Sequence, residues 1–261
     1  RVPGAWSEAV TPETRLVYVE TTANPTMMIT DFHEVVKAAR SVGATILADN
    51  TFATPVNQRP LEFGVDGVLH SATKYLGGHS DVVAGAFIAR SRRLYDRVWF
   101  NYKMLGPSLG PFEGFLVRRG VKSLPLRMRQ QNANAQFLAE HLQSLPAVRV
   151  VHYPGLRSFP QHALARRQMD GFGAMLSFEL KGGYRAGKRF VESVRVATLA
   201  VSLGGMETLV QHPASMTHGP LTDAERKTSG ITEGLVRVSV GLEDVDDLLA
   251  DFDRAVRAAG Q

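Results

Sequence analysis

The chain has 261 residues, 44% of them hydrophobic and 24 of them glycine, enough to bury a sizeable core as one compact unit with a large and a small part. Its 30 basic and 25 acidic side chains give a formal charge of +5 that is spread along the sequence rather than gathered in a basic arm, so nucleic acid is not an expected partner. No cysteine is present for a disulfide or thiolate metal site, and neither a membrane-length apolar run nor a signal-like start is seen, so a cytoplasmic globular protein is the expectation.

Arg1-Val2-Pro3-Gly4 opens the chain without an initiator methionine, and a strand-like run follows soon after, so an upstream segment is expected to be missing. Leu16 to Glu20 is a short β-branched run closed by Asn24-Pro25, which reads as a buried strand. Thr30 is the expected cap of a helix over Asp31 to Ser41, where Phe32, Val35, Val36 and Ala39 share one face and Gly43 supplies the left-handed stop. Ala44 to Ala48 is the next strand, giving a strand, helix, strand unit with parallel strands and a right-handed crossover. A third strand is expected over Gly67 to His70 and one more from Val82 to Ile88. From Pro111 to Leu145 the period is helical with a restart at Pro125, and the boundary between a large part, 1–124, and a small part, 125–261, is placed there. Beyond it, strands are expected at Val148 to Val151, Ala174 to Leu180 and Leu235 to Val240, and helices at Arg185 to Val194 and Asp244 to Ala259. The second part therefore reads as α+β, and the whole chain as α/β.

Open parallel sheets bind ligands outside the carboxyl ends of their strands, where loops and helix N-termini converge. Three strand ends here carry chemistry. Asn24 follows the first, Asp49-Asn50 the second, and Ser71, Thr73 and Lys74 the third. Singly these residues are turn formers, caps or solvated amines; together they form a constellation. A lysine that starts a Schiff base must shed its proton near neutral pH, which desolvation and a neighbouring cation favour. A carboxylate such as Asp49 can hold the proton on a heterocyclic nitrogen, and the hydroxyls of Ser71 and Thr73 can receive phosphate oxygens. In the second part, alternation puts Arg237 and Ser239 on one face of a strand, and an arginine on a rigid strand suits a substrate carboxylate as well as a surface salt bridge. Ser202-Leu203-Gly204-Gly205 is a turn where backbone can approach a ligand.

Two further patterns are decoys. Gly182 to Lys188 mimics a phosphate-binding loop, but the next residue is Arg189 where a magnesium-binding hydroxyl is required. His212 and His218 lack a third ligand at a convincing spacing, so they read as structural histidines and no metal is expected.

Five separated runs in order, Glu20 to Thr26, Ala48 to Phe52, His70 to Tyr75, Ser202 to Gly205 with His212-Pro213-Ala214, and Leu235 to Asp244, resemble the signatures of the Cys/Met metabolism enzymes. The resemblance implies the type I aminotransferase-like fold, pyridoxal 5'-phosphate as cofactor, and a homotetramer of tight dimers with shared active sites. It implies that Lys74 carries the cofactor and shuttles protons, that Asp49 pairs with the pyridine nitrogen, and that Ser71 and Thr73 bind phosphate. Asn24 is implied at the ring hydroxyl and substrate carboxylate, and Ser202 with Arg237 at that carboxylate. The family's N-terminal portion, with its ring-stacking tyrosine and the residues lent to a neighbouring subunit, has no counterpart here. Around Lys103-Met104-Leu105-Gly106 the sequence also departs from the lyases.

Within the family, the runs from Val201 through Met216-Thr217-His218 and over Asp247 to Asp251 look most like the methionine γ-lyase branch. Relatives that handle cystathionine resemble one another in a glutamate before the serine, where it meets that substrate's distal amine. Val201 cannot make that contact, which favours a small amino-acid substrate with an apolar thioether end. The implied reaction is α,γ-elimination of L-methionine to methanethiol, 2-oxobutanoate and ammonia. The alternatives are a cystathionine γ-lyase or synthase, an O-acylhomoserine sulfhydrylase, or a truncated scaffold chain that binds no cofactor.

Overall fold

Alternating apolar runs and one left-handed glycine lay down the first layer of the molecule. This computed structural model describes residues 5–260; the expectation of a missing upstream segment concerns the start of the chain, residues 1–4, and lies outside the described residues. After a short helix α1 (Ala5–Ala9), the strand β1 (Leu16–Glu20), helix α2 (Phe32–Ser41) and strand β2 (Thr45–Asp49) form the expected unit, with β1 and β2 parallel from Leu16 opposite Thr45 to Glu20 opposite Asp49. Gly43 takes φ +70° beyond the end of α2. The helix is capped by Asp31, not Thr30. One Asp31 carboxylate oxygen accepts the N–H groups of His33 at 3.0 Å and Glu34 at 3.3 Å, whereas the Thr30 hydroxyl donates to the Glu20 carbonyl at 2.8 Å. An anionic cap meets two orphan donors and the helix dipole at once, which a threonine hydroxyl cannot match.

After α3 (Thr54–Asn57), β3 (Gly67–Ser71) extends the sheet in parallel and β4 (Gly85–Ala89) closes it antiparallel, in the order β1-β2-β3-β4. The fourth strand starts later than expected at Val82, because the Thr73 N–H and hydroxyl both pair with the Ala84 carbonyl, at 3.1 and 3.2 Å, and keep that residue in the loop. Val17, Val19, Ile46, Ala48 and Val68 pack with Phe32, Val35 and Ala39 of α2 on one face. By alternation Tyr18, Glu20, Asp49 and Ser71 belong to the other face.

Helices α4 (Arg92–Leu105), α5 (Pro111–Val121) and α6 (Leu124–Ser144) follow. Sequence reading missed α4, which buries none of its residues, although Ser91 caps it by accepting from Leu94 N–H at 3.2 Å and Gly106 ends it at φ +69°. The second sheet is built from β5 (Val148–His152), β6 (Met175–Leu180), β7 (Thr198–Leu199), β8 (Leu209–Gln211) and β9 (Leu235–Ser239), in the order β5-β6-β9-β8-β7. Helices α7 (His162–Gln168), α8 (Gly183–Ser193), α9 (Asp223–Thr228) and α10 (Val245–Ala259) complete the chain. Phe190 of α8 meets Phe178 of β6 edge-on at 5.1 Å and Phe252 of α10 at 5.3 Å, which docks both helices on the sheet. The layout is the α/β arrangement expected, a mostly parallel sheet followed by an α+β part. We propose 1–124 and 125–261 as its two parts, sharing one apolar core in which Met27, Ile29 and Tyr75 pack with Leu138, Phe178 and Phe252.

Candidate active site

Lys74 follows β3 in a tight turn: its N–H donates to Ser71 carbonyl at 3.1 Å, and Gly78 N–H returns to the Lys74 carbonyl at 2.7 Å. From this turn the Lys74 ammonium reaches the Ser202 hydroxyl at 2.7 Å. Ser202 sits at φ +81° in the loop after β7, and Gly204, at φ +80°, lets that loop lie against the lysine turn: a Cβ on Gly204 would fall 2.7 Å from Tyr75 N. Ser239 of β9 holds the loop from below by accepting the Gly204 N–H at 2.8 Å.

Arg237 lies two residues earlier on β9, and it is 5% exposed, so it is no surface salt bridge. Its guanidinium donates to the Ser202 carbonyl at 2.6 Å and to Asn24 Oδ1 at 3.2 Å. Asn24 is delivered by a loop in which the Pro25 carbonyl accepts the Ser177 hydroxyl at 2.7 Å, Ser177 being the register partner of Arg237 on β6. Lys74, Ser202, Arg237 and Asn24 therefore form one connected group. Burial, and then the charge of Arg237, push the Lys74 amine below the ordinary lysine range, while burial brings Arg237 down to about 10.

A second group is built at the ends of β2 and β3. Asp49 Oδ1 accepts Thr51 N–H at 2.9 Å, Asp49 Oδ2 accepts the Tyr18 phenol at 3.3 Å, and Thr51 Oγ1 accepts Ser71 N–H at 2.8 Å. Glu20, beside Asp49 in register, is raised by burial and by that neighbouring carboxylate. Sequence reading gave no role to Tyr18 or Thr51. Tyr18 was open to discovery, because strand alternation puts it on the face of Asp49; Thr51 was not, because its partner is twenty residues away in sequence. Thr73 is the one predicted phosphate ligand with a competing commitment, since its hydroxyl donates to the Ala84 carbonyl and also accepts Ala84 N–H at 3.0 Å.

The cofactor implied by the resemblance calls for a poorly solvated amine, a carboxylate and hydroxyl donors. Those groups are what the donor set offers at the carboxyl ends of β2 and β3, and the Gly204 cradle brings Ser202 to the amine, so the residues fit. Val201 is 52% exposed beside Ser202. An open groove of about 510 Å³ runs along β1 past Trp6, Tyr18 and Glu20, and its lining includes neither Lys74 nor Arg237. The decoys are structural in this fold: Lys188 pairs with Glu192 on α8 at 3.8 Å, and the buried His212 ring bridges Ser215 Oγ at 2.8 Å and the Glu233 carbonyl at 2.7 Å. Among the described residues no group of three His, Asp or Glu side chains could hold a metal ion.

A family model described as Cys/Met metabolism PLP-dependent enzyme matches residues 1–257. The chain is 53% identical over 257 residues to L-methionine gamma-lyase of Pseudomonas putida, covering 98% of this chain and 64% of that protein. It is 51% identical over 260 residues to L-methionine gamma-lyase of Treponema denticola, covering 98% and 65%. It also superposes on the crystal structure of cystathionine gamma synthase from Xanthomonas oryzae pv. oryzae in complex with cystathionine, with a TM-score of 0.95 and 46% identity, covering 99% of this chain and 67% of that one. The chain thus spans less than two thirds of the length of the curated relatives it matches.

Proposed function

This chain belongs to the Cys/Met metabolism family of PLP-dependent enzymes, and from that premise we propose that it is a carbon–sulfur lyase that converts L-methionine to methanethiol, 2-oxobutanoate and ammonia. The observation that carries the reading is the Lys74 amine, depressed by burial and by Arg237, at 2.7 Å from the Ser202 hydroxyl. Bound pyridoxal phosphate supplies a protonated ring that withdraws electrons from the substrate's carbons. Lys74 would anchor it through Nζ until substrate enters and leaves that amine free, Asp49 would keep the proton on the ring nitrogen, and Ser71, Thr73 and Asn24 would fix its phosphate and ring hydroxyl. Arg237 takes the substrate carboxylate with Ser202 and Asn24 beside it, which orients the Cα–H toward Lys74 Nζ. Nζ then moves protons between the substrate's carbons. Val201 offers an apolar wall and no charge for a distal amine, so the methyl thioether is preferred over cystathionine.

A second reading, turnover of cystathionine or an acylated homoserine, draws on the relative solved with cystathionine bound. Steady-state assays separate the two. Release of methanethiol from L-methionine is expected to exceed turnover of cystathionine and of O-acylhomoserine; a wide margin for cystathionine would overturn the use made of Val201. The scaffold reading is tested by absorbance before and after borohydride: a coloured protein that becomes labelled at Lys74 is expected, and a colourless, unlabelled one would favour a scaffold. We also propose a homotetramer of dimers, supported by the apolar residues Trp99, Phe100, Met104 and Leu105 that α4 leaves exposed. Among the described residues no helix is long and apolar enough to cross a membrane, and we propose a cytoplasmic location.

A further inference from the structure

The cation at the centre of the site rests entirely on neutral acceptors. Beyond Asn24 and the Ser202 carbonyl, the third side of the Arg237 guanidinium is covered from the neighbouring strand by Gln211, its register partner on β8. Gln211 is 1% exposed. One orientation of its amide sets an NH₂ group against the guanidinium; the other brings Oε1 to 3.1 Å from both Nη1 and Nε and 3.3 Å from Nη2, near-equal distances that lay the carbonyl oxygen over the face of the planar group. The second sets the negative end of the amide against the cation, and it is the orientation that suits the pair. No described carboxylate comes within ion-pairing distance of Arg237, although such pairs form elsewhere, as between Arg40 and Asp66 at 2.6 Å.

A carboxylate under a buried arginine would cancel much of the charge. An amide carbonyl over the face leaves both the charge and the free in-plane N–H groups for an incoming anion. We infer that Gln211 is the positioning residue of Arg237: it fixes the plane of the guanidinium on the rigid β8–β9 pair, so that the remaining edge is held ready for the α-carboxylate of the substrate. Gln211 itself touches neither substrate nor cofactor. The inference rests on the reading that Arg237 binds that carboxylate.

The test uses the full chain with its cofactor and L-norleucine, an α-amino acid of methionine's length with no leaving group, with its Kd measured by calorimetry. Gln211→Met removes the carbonyl oxygen from the guanidinium face and frees the guanidinium to turn, and is expected to raise the norleucine Kd about tenfold or more, with the methionine KM rising in step and kcat changing less than about threefold. Gln211→Glu sets a carboxylate against the guanidinium and cancels the charge that the amide leaves, and is expected to raise the norleucine Kd about threefold or more. A Kd for Gln211→Met within about twofold of the parent would overturn the inference, as would a Gln211→Glu protein that binds norleucine as tightly as the parent. Melting curves show whether Gln211→Met is folded; if it is not, Gln211→Asn, whose shorter arm withdraws the oxygen, is expected to weaken norleucine at least about threefold, and an unchanged Kd would count against the role. Should the parent bind no norleucine, the carboxylate role of Arg237 is what fails, and the Gln211 role falls with it.

Discussion

At the scale of single residues, the proposed chemistry turns on one amine whose pKa is lowered. Lys74 is held low first by burial and then by Arg237. A depressed amine is protonated below its own pKa, so the neutral, reactive form grows as pH rises through that value. Removing the positive neighbour with Arg237→Met lets the Lys74 pKa climb back, and the rising limb of kcat/KM against pH is expected to move to higher pH; a limb that stays in place would show that Arg237 does not act on the lysine. Replacing Lys74 by Ala is expected to cut turnover by about 10²- to 10⁴-fold, the usual worth of a positioned proton-transfer group, and to abolish the covalent borohydride label. Activity near that of the parent, or a label that persists, would remove Lys74 from the mechanism. Thr73 makes a narrower point. Its hydroxyl proton goes to Ala84, so Thr73→Ala is expected to weaken cofactor retention less than Ser71→Ala, measured by dialysis and absorbance.

At the scale of elements, two contacts hold the site's parts in place. The loop bearing Ser202 touches the lysine turn only because Gly204 has no side chain: its φ is +80° and an added Cβ would fall 2.7 Å from Tyr75 N and 3.0 Å from the Lys74 carbonyl carbon. Both obstacles are backbone and cannot swing aside. Gly204→Ala is therefore expected to lower kcat by more than about tenfold while the melting temperature drops by only a few degrees. The second contact is Asp251 of α10, fully buried, which accepts the N–H groups of Arg195, Val196 and Ala197 at 2.8 to 3.1 Å and pairs with Arg254. It ties the last helix to the segment leading into β7 and the Ser202 loop. Asp251→Ala strands three backbone donors and is expected to cost about 3–5 kcal/mol in denaturant unfolding; a cost under about 1 kcal/mol would mean that this segment finds other partners.

At the scale of the whole molecule, stability is linked to protons through imidazoles in the core. His70, 5% exposed, and His212, fully buried, are both held below the ordinary histidine range mainly by burial. The sign follows from which state binds more protons. An unfolded histidine protonates near pH 6.5 and these two do so lower, so the unfolded chain gains protons first as pH falls. Stability is then expected to be fully present above about pH 7 and to decline as pH drops below about 6.5, read as a falling melting temperature in that window. A melting temperature that is flat from pH 7.5 to about 5.5 would mean that these rings are hydrated in the native state. Assembly belongs to the same scale: Trp99, Phe100 and Leu105 on α4 and Phe112 and Phe115 on α5 are all exposed, more apolar surface than a stable monomer usually keeps. Sedimentation is expected to report a tetramer, and a monodisperse monomer would refute it.

The sequence by itself determined the local and the periodic. β1, the end of α2 at Gly43, the helical stretch after Pro111 and the strands β3, β6 and β9 were all legible, because alternation, helical period and turn formers are written within a few residues of one another. The proposed site residues were singled out there too: Asn24, Asp49 and Lys74 by the strand ends they follow, Ser202 by its Gly-rich turn and Arg237 by alternation along its strand. What only the tertiary structure decided is every relation across long stretches of chain. The Lys74 contact with Ser202 spans 128 residues and the Arg237 contact with Asn24 spans 213; the Gln211 amide beneath Arg237 depends on a pairing of β8 with β9 that a three-residue strand does not announce. Sequence can list the charged groups of this site, but which charge is left uncompensated depends on burial and on distance, and those exist only once the chain has folded.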